Sequence, residues 1–134
     1  AVERMKRIMA GQFTSVSEKD WKALATAVYA EDEKGNFRLD VDQGLLRSVA
    51  SIDLEHAIPT LWPQFESLRG HPMLSIRGEN SDILSEDTVK AMVERHPHLE
   101  TLTVIGQGHA PLLRDLATLN RISAFALRCD ASWH

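Results

Sequence analysis

Two stretches decide the fold of this chain: Pro72-Met-Leu-Ser-Ile-Arg-Gly-Glu-Asn-Ser-Asp82 and Thr101-Leu-Thr-Val-Ile-Gly-Gln-Gly-His-Ala-Pro111. Each opens as a short apolar, β-branched run and breaks at a glycine into a polar loop, which predicts a strand over 72–77 and another over 101–105. The residues between them have helical spacing from Ser85 to His96, with Val89, Met92 and Val93 on one face. Ser85 suits the N-cap, and Glu86 and Asp87 suit the positive end of the helix dipole. His96-Pro97 ends the helix, because the residue before a proline avoids the helical region. Strand, helix and strand in that order make a parallel α/β unit. One carboxylate and one imidazole, Asp82 and His109, then follow the C-terminal ends of the two strands, the edge where parallel sheets bind ligands.

Working outward, Val2, Met5, Ile8 and Met9 recur at helical spacing up to Gly11. Ser17-Glu-Lys-Asp20 reads as the start of a second helix, with Trp21, Leu24, Ala25 and Val28 as its apolar, core-facing side. Glu31 to Asn36 forms a polar turn, and Phe37 to Val41 alternates as a short extended segment. Gln43 to Ala50 fits one or two helical turns, and Ile52 to Pro59 reads as loop. Pro63 suits the first turn of a short helix running to Leu68. A last helix is expected from Pro111, with Leu112, Leu116, Leu119, Ser123 and Ala126 on one stripe. Leu113, Ile122 and Phe125 widen that stripe, and residues 130–134 are expected to fray.

The composition of the 134 residues, 43% apolar and 25% charged, is that of an ordinary globular domain. A net charge of −4 disfavours nucleic acid as a partner. No apolar run reaches the roughly 20 residues needed to span a bilayer. The charged N-terminus, with Glu3, Arg4, Lys6 and Arg7, lacks a signal-peptide pattern. A single cysteine, Cys129, excludes an intrachain disulfide framework, and the cytoplasm is the expected compartment.

Arg77-Gly-Glu-Asn-Ser-Asp82 and Gly106-Gln-Gly-His-Ala-Pro111 together resemble the C-terminal end of the α/β-hydrolase family, in which a nucleophile, an acid and a histidine follow in that chain order. Asp82 matches the acid and His109 the base, 27 positions apart. The resemblance is close over residues 61–127 and looser before them, where Asp32 to Leu39 and Trp62-Pro-Gln-Phe65 look like a lid segment. It implies a helical lid over 1–70, a strand-helix-strand-helix core over 71–134, and an esterase- or lactonase-like hydrolase needing no cofactor. In such an enzyme Asp82 orients the imidazole of His109, which moves the proton of the nucleophile. One element of the family is missing: none of the seven glycines begins the Gly-x-Ser-x-Gly elbow. The nucleophile therefore lies outside these residues, as a serine or, as in dehalogenases and epoxide hydrolases, an aspartate.

Several side chains compete for these roles. Glu79 rivals Asp82 as the acid, but Asp82 precedes an aliphatic pair, Ile83-Leu84, as the family acid does. Ser75 lies inside a strand, Ser81 lies at no elbow, and Cys129 follows the histidine against family order, so none is a good nucleophile. His96-Pro-His98, with His71 or His134 as a third ligand, has no recognised zinc spacing, and no metal is expected. His56 stands in no motif. Trp21 and Trp62 are expected to pack in the lid. A different reading takes the chain as a non-catalytic folding or interaction module. Either way, two strands make a marginal sheet on their own. Leu74, Ile76, Leu102, Val104 and Ile105 are expected to leave apolar groups on both of its faces. The expected partners are therefore a second copy, or a separate N-terminal half, that continues the sheet.

Overall fold

The computed structural model describes residues 1–50 and 59–131. The expected loop at 52–58, the fraying end from residue 132, His56 and His134 lie outside the described residues. The chain forms two compact units, Ala1–Met9 with Ser17–Leu61, and Ala10–Val16 with Trp62–His134. Trp62 and the segment 10–16 group with the second unit.

In the first unit α1 (Val2–Met9) packs on α2 (Glu18–Val28), with Met5, Trp21 and Ala25 buried. The Ser17 hydroxyl caps α2 by accepting the Asp20 N–H. Lys6 pairs with Glu18, which with Glu3 raises the lysine's pKa. The extended segment at Phe37 proves to be one arm of an antiparallel hairpin, β1 (Tyr29–Glu31) with β2 (Phe37–Leu39). Asp32 closes it. Its carboxylate accepts the backbone N–H groups of Asn36 and Lys34 at 2.8 and 2.9 Å, and the Asn36 bond leads in holding that carboxyl below its usual range. Helix α3 (Gln43–Ala50) follows, with the Asp42 carboxylate accepting the N–H groups of Gly44 and Leu45 at its start.

The second unit holds the parallel pair. After α4 (Trp62–Glu66), β3 (Met73–Gly78) runs beside β4 (Leu99–Val104), and α5 (Glu86–Arg95) crosses between them. Helix α5 is bounded as its sequence predicts. Ser85 accepts the Thr88 N–H at 3.0 Å, and the His96 N–H closes the C-terminal end on the carbonyls of Met92 and Val93. Its half-buried side carries Val89 and Met92, whereas Val93 is exposed.

Register corrects one expectation. Ile76 pairs with Leu102 and Gly78 with Val104, so Leu74, Ile76, Leu102 and Val104 all project from one face. The other face carries Met73, Ser75, Arg77, Leu99, Thr101 and Thr103, with Thr101 and Thr103 exposed. Ile105 lies beyond the end of β4. The apolar groups therefore do not divide evenly between two faces, because residues two apart in a strand share a side.

The last helix also differs. It begins at Leu116, not Pro111, as α6 (Leu116–Ala131). Asp115 caps it, its carboxylate accepting the Thr118 N–H at 2.8 Å, a bond that holds the carboxyl below its usual range. Leu116 and Leu119 are exposed, and the inward stripe is Thr118, Arg121, Ile122, Phe125 and Cys129. Arg121 and Arg128 reach from this helix to Glu100 on β4, and Arg128 leads in lowering the pKa of that carboxyl. Among the described residues no helix is long and apolar enough to cross a membrane.

Candidate active site

The ends of β3 and β4 are drawn together by the backbone. The Glu79 N–H donates to the Val104 carbonyl, and the Asn80 N–H to the Gln107 carbonyl, both at 2.9 Å. The approach is so close that a side chain at Gly78 would collide with the carbonyls of Gln107 and Gly108. Gly106 turns the chain with φ +67°, a left-handed conformation that favours glycine. Its N–H donates to a carboxylate oxygen of Glu79 at 2.9 Å. The Glu79 side chain thus ties the acid's loop to the histidine's loop, a contact that reading along the chain did not reveal.

The loop that carries Asp82 is braced from within. Arg77 Nε donates to the Leu84 carbonyl at 2.7 Å, and its Nη2 to the Glu79 carbonyl at 2.9 Å. The Ser81 hydroxyl accepts the Leu84 N–H, and the Ser81 N–H donates to the Gly78 carbonyl, each at 3.0 Å. On the other side Gln107, buried among its neighbours, accepts the Leu112 N–H through Oε1 at 2.7 Å. That bond holds 108–112 as a loop and helps explain why no helix starts at Pro111.

Asp82 and His109 stand on these two loops at one edge of the sheet, both exposed to solvent. No hydrogen bond joins them among the described residues. Asp82 Oδ2 instead accepts the side-chain amide of Gln12 at 2.7 Å. Gln12 belongs to the segment 10–16, which lies across both loops. Its carbonyl accepts the Asn80 side-chain amide at 3.0 Å, and the N–H groups of Thr14 and Ser15 donate to the Gly106 carbonyl. Phe13, between them, is buried.

The histidine pair considered for metal is not brought together. His96 is fully buried, with Nε2 against the Leu68 carbonyl at 3.0 Å and its ring 5.7 Å from that of Phe65, while His98 is exposed. Among the described residues no three His, Cys, Asp or Glu side chains group to hold an ion. Trp62 packs edge-on against Phe65, and the Arg95 guanidinium lies 4.3 Å above the tryptophan ring.

No family model matches the chain. It is 42% identical over 59 residues to the 3-hydroxybutyrate-oligomer hydrolase of Cupriavidus necator, a match covering 44% of this chain and 20% of that protein. The crystal structure of an α/β hydrolase from Novosphingobium aromaticivorans superposes on it with a TM-score of 0.82 and 26% sequence identity. That superposition takes in 96% of this chain and 45% of the other. The chain therefore spans less than half the length of either protein. The parallel pair with its flanking helices, the likeness to a solved hydrolase over almost all of the chain, and the sequence match to a second hydrolase agree: the chain forms part of an α/β-hydrolase fold and is similar to hydrolases.

Proposed function

We propose that the chain contributes the acid and the base of an ester hydrolase, Asp82 and His109, to a triad whose nucleophile lies outside these 134 residues. In this reading His109 takes the proton of the nucleophile as it attacks the ester carbonyl, then returns it to the leaving alcohol. Asp82 holds the imidazole in the productive tautomer and stabilises its charged form. The observation that carries the proposal is the strapping of two strand-end loops, one bearing each residue, by Glu79, Gly106, Asn80 and Gln107. Such bracing is what a pair needs that must hold its geometry closely. The name of the Cupriavidus relative makes esters of short hydroxyalkanoates the first substrates to try. The cytoplasm is the proposed compartment.

The test compares the full-length hydrolase carrying this segment with its Asp82→Ala and His109→Ala variants, using p-nitrophenyl esters and 3-hydroxybutyrate oligomers. Each variant should lose about 10³-fold or more in kcat. Wild-type turnover in either variant would refute the assignment. A second reading, a binding module that assembles through its sheet, is favoured by exposed Leu116, Leu119 and Leu127 on α6 beside a two-stranded sheet. Under it the chain pairs with a second copy or with a separate N-terminal half.

A further inference from the structure

From the same site we infer that Gln12 is a positioning residue for the Asp82–His109 pair; the inference rests on the triad proposed above. A carboxylate only accepts hydrogen bonds, so the 2.7 Å contact requires Gln12 to present its NH2 group to Asp82 Oδ2. That bond occupies one oxygen of the acid and leaves the other for the imidazole. The bond is also anchored at its source. The Gln12 carbonyl accepts the side-chain amide of Asn80, two residues before the acid. Its side chain lies so close to the residue before His109 that a Cβ at Gly108 would come within 2.6 Å of it. The following residues fasten to Gly106 through the N–H groups of Thr14 and Ser15. One side chain therefore bonds the acid and fills the space a side chain at Gly108 would need, and its flanks bind both loops. Asp82 is exposed, and the braces within its own loop are made by Arg77 and Ser81 to backbone groups. Gln12 thus supplies the hydrogen bond that fixes how the carboxylate is turned. Without it, Asp82 turns toward solvent and its carboxylate is placed to orient the imidazole for less of the time. Misplacement on this scale lowers kcat by about 10- to 100-fold while leaving substrate binding alone.

The experiment is a double-mutant cycle in the full-length hydrolase, with kcat and KM measured for Gln12→Ala, Asp82→Ala and the pair together. Gln12→Ala should lower kcat about 10- to 100-fold with KM within about twofold. The double variant should be no slower than Asp82→Ala, because Gln12 acts only through that carboxylate. A merely structural role would slow the double variant further. Gln12→Glu preserves size and sets a like charge against Asp82, and it should lose as much as Gln12→Ala; it decides the matter should the alanine variant not fold. Wild-type kcat in both Gln12 variants, with Asp82→Ala inactive, overturns the role of Gln12 alone. Wild-type kcat in Asp82→Ala overturns the triad, and the role of Gln12 with it.

Discussion

His96 offers a measurable test of how the second unit is held together. The ring is fully buried at the C-cap of α5 and packed near Phe65; among the described residues Nε2 is partnered and Nδ1 has no hydrogen-bond partner. Replacing it by alanine removes most of an aromatic ring from a packed site. For a ring smaller than phenylalanine this costs about 3 kcal/mol, at the low end of the aromatic-to-alanine range. The bond to Leu68 contributes about 1 kcal/mol more and not the full cost of an orphaned carbonyl, because the Leu68 oxygen also accepts the His71 N–H at 2.9 Å. Against these, the variant no longer buries the unpaired Nδ1, a relief of about 1–2 kcal/mol. The net loss for His96→Ala is then about 2–3 kcal/mol. His96→Phe keeps the ring, forgoes the Nε2 bond and removes the orphan, so it should fall within about 1 kcal/mol of wild type. Urea unfolding followed by tryptophan fluorescence and circular dichroism reads this directly. With a slope of about 2 kcal/mol/M, the alanine variant should unfold about 1 M earlier and the phenylalanine variant at nearly the wild-type midpoint. A phenylalanine variant as unstable as the alanine variant would refute the reasoning, since it would mean that the polar contacts of His96, and not its packing, hold α5 to Leu68.

Further outcomes are expected. The 134-residue chain alone should hydrolyse p-nitrophenyl esters no faster than buffer, since the elbow serine is absent from its sequence; turnover that vanishes in His109→Ala would overturn this. On acidification, Glu100 should weaken the fold. Arg128 and Arg121 lower its pKa from the ordinary 4.5, so its contribution is fully present above 4.5 and is lost as pH falls through the lower folded value. Urea midpoints taken between pH 6 and 3 should therefore decline less in Glu100→Gln than in wild type, and parallel declines would count against the pairing. Gly106→Ala should cost about 1–2 kcal/mol, because φ there is +67° and Ser15 crowds the site; an unchanged urea midpoint would exclude that conformation. Light scattering at micromolar concentration should find more than the monomer mass, and a clean monomer that unfolds cooperatively would argue that the sheet needs no partner.

What the sequence made legible is what is written locally. Helix α5 could be delimited to the residue because its signals, Ser85 before two acids and His96 before Pro97, act within one turn of the helix ends. The two parallel strands were legible as apolar runs broken by glycines, and the acid and histidine loops as their continuations. Failures begin where a second signal competes over a few residues. Pro111 and Asp115 both suit a helix start, and the bond from Leu112 to the Gln107 side chain and the left-handed backbone of Leu113 help leave the role to Asp115. Tyr29-Ala-Glu31 follows directly on α2 and forms a strand paired with Phe37–Leu39, a partner six or more positions on.

The site divides along the same line, and the division says where such sites carry their information. Asp82 and His109 could be placed after the two strand ends because each follows an apolar run and its glycine, a local position. Glu79, weighed as a rival acid, has an oxygen committed to the N–H of Gly106, a group 27 positions away. Gln12 meets Asp82 across 70 positions, from a segment without periodicity of its own. A hydrogen bond of that span leaves no trace in spacing, since its geometry is set by where two loops finish after the sheet has formed. In the proposed triad, the residues that would react are marked by local pattern, and those that would hold them still by tertiary contact. Substituting the second group changes how often the first is correctly placed without removing it. The cycle between Gln12 and Asp82 measures that distinction: two residues acting on one geometry give non-additive losses, and two independent supports give additive ones.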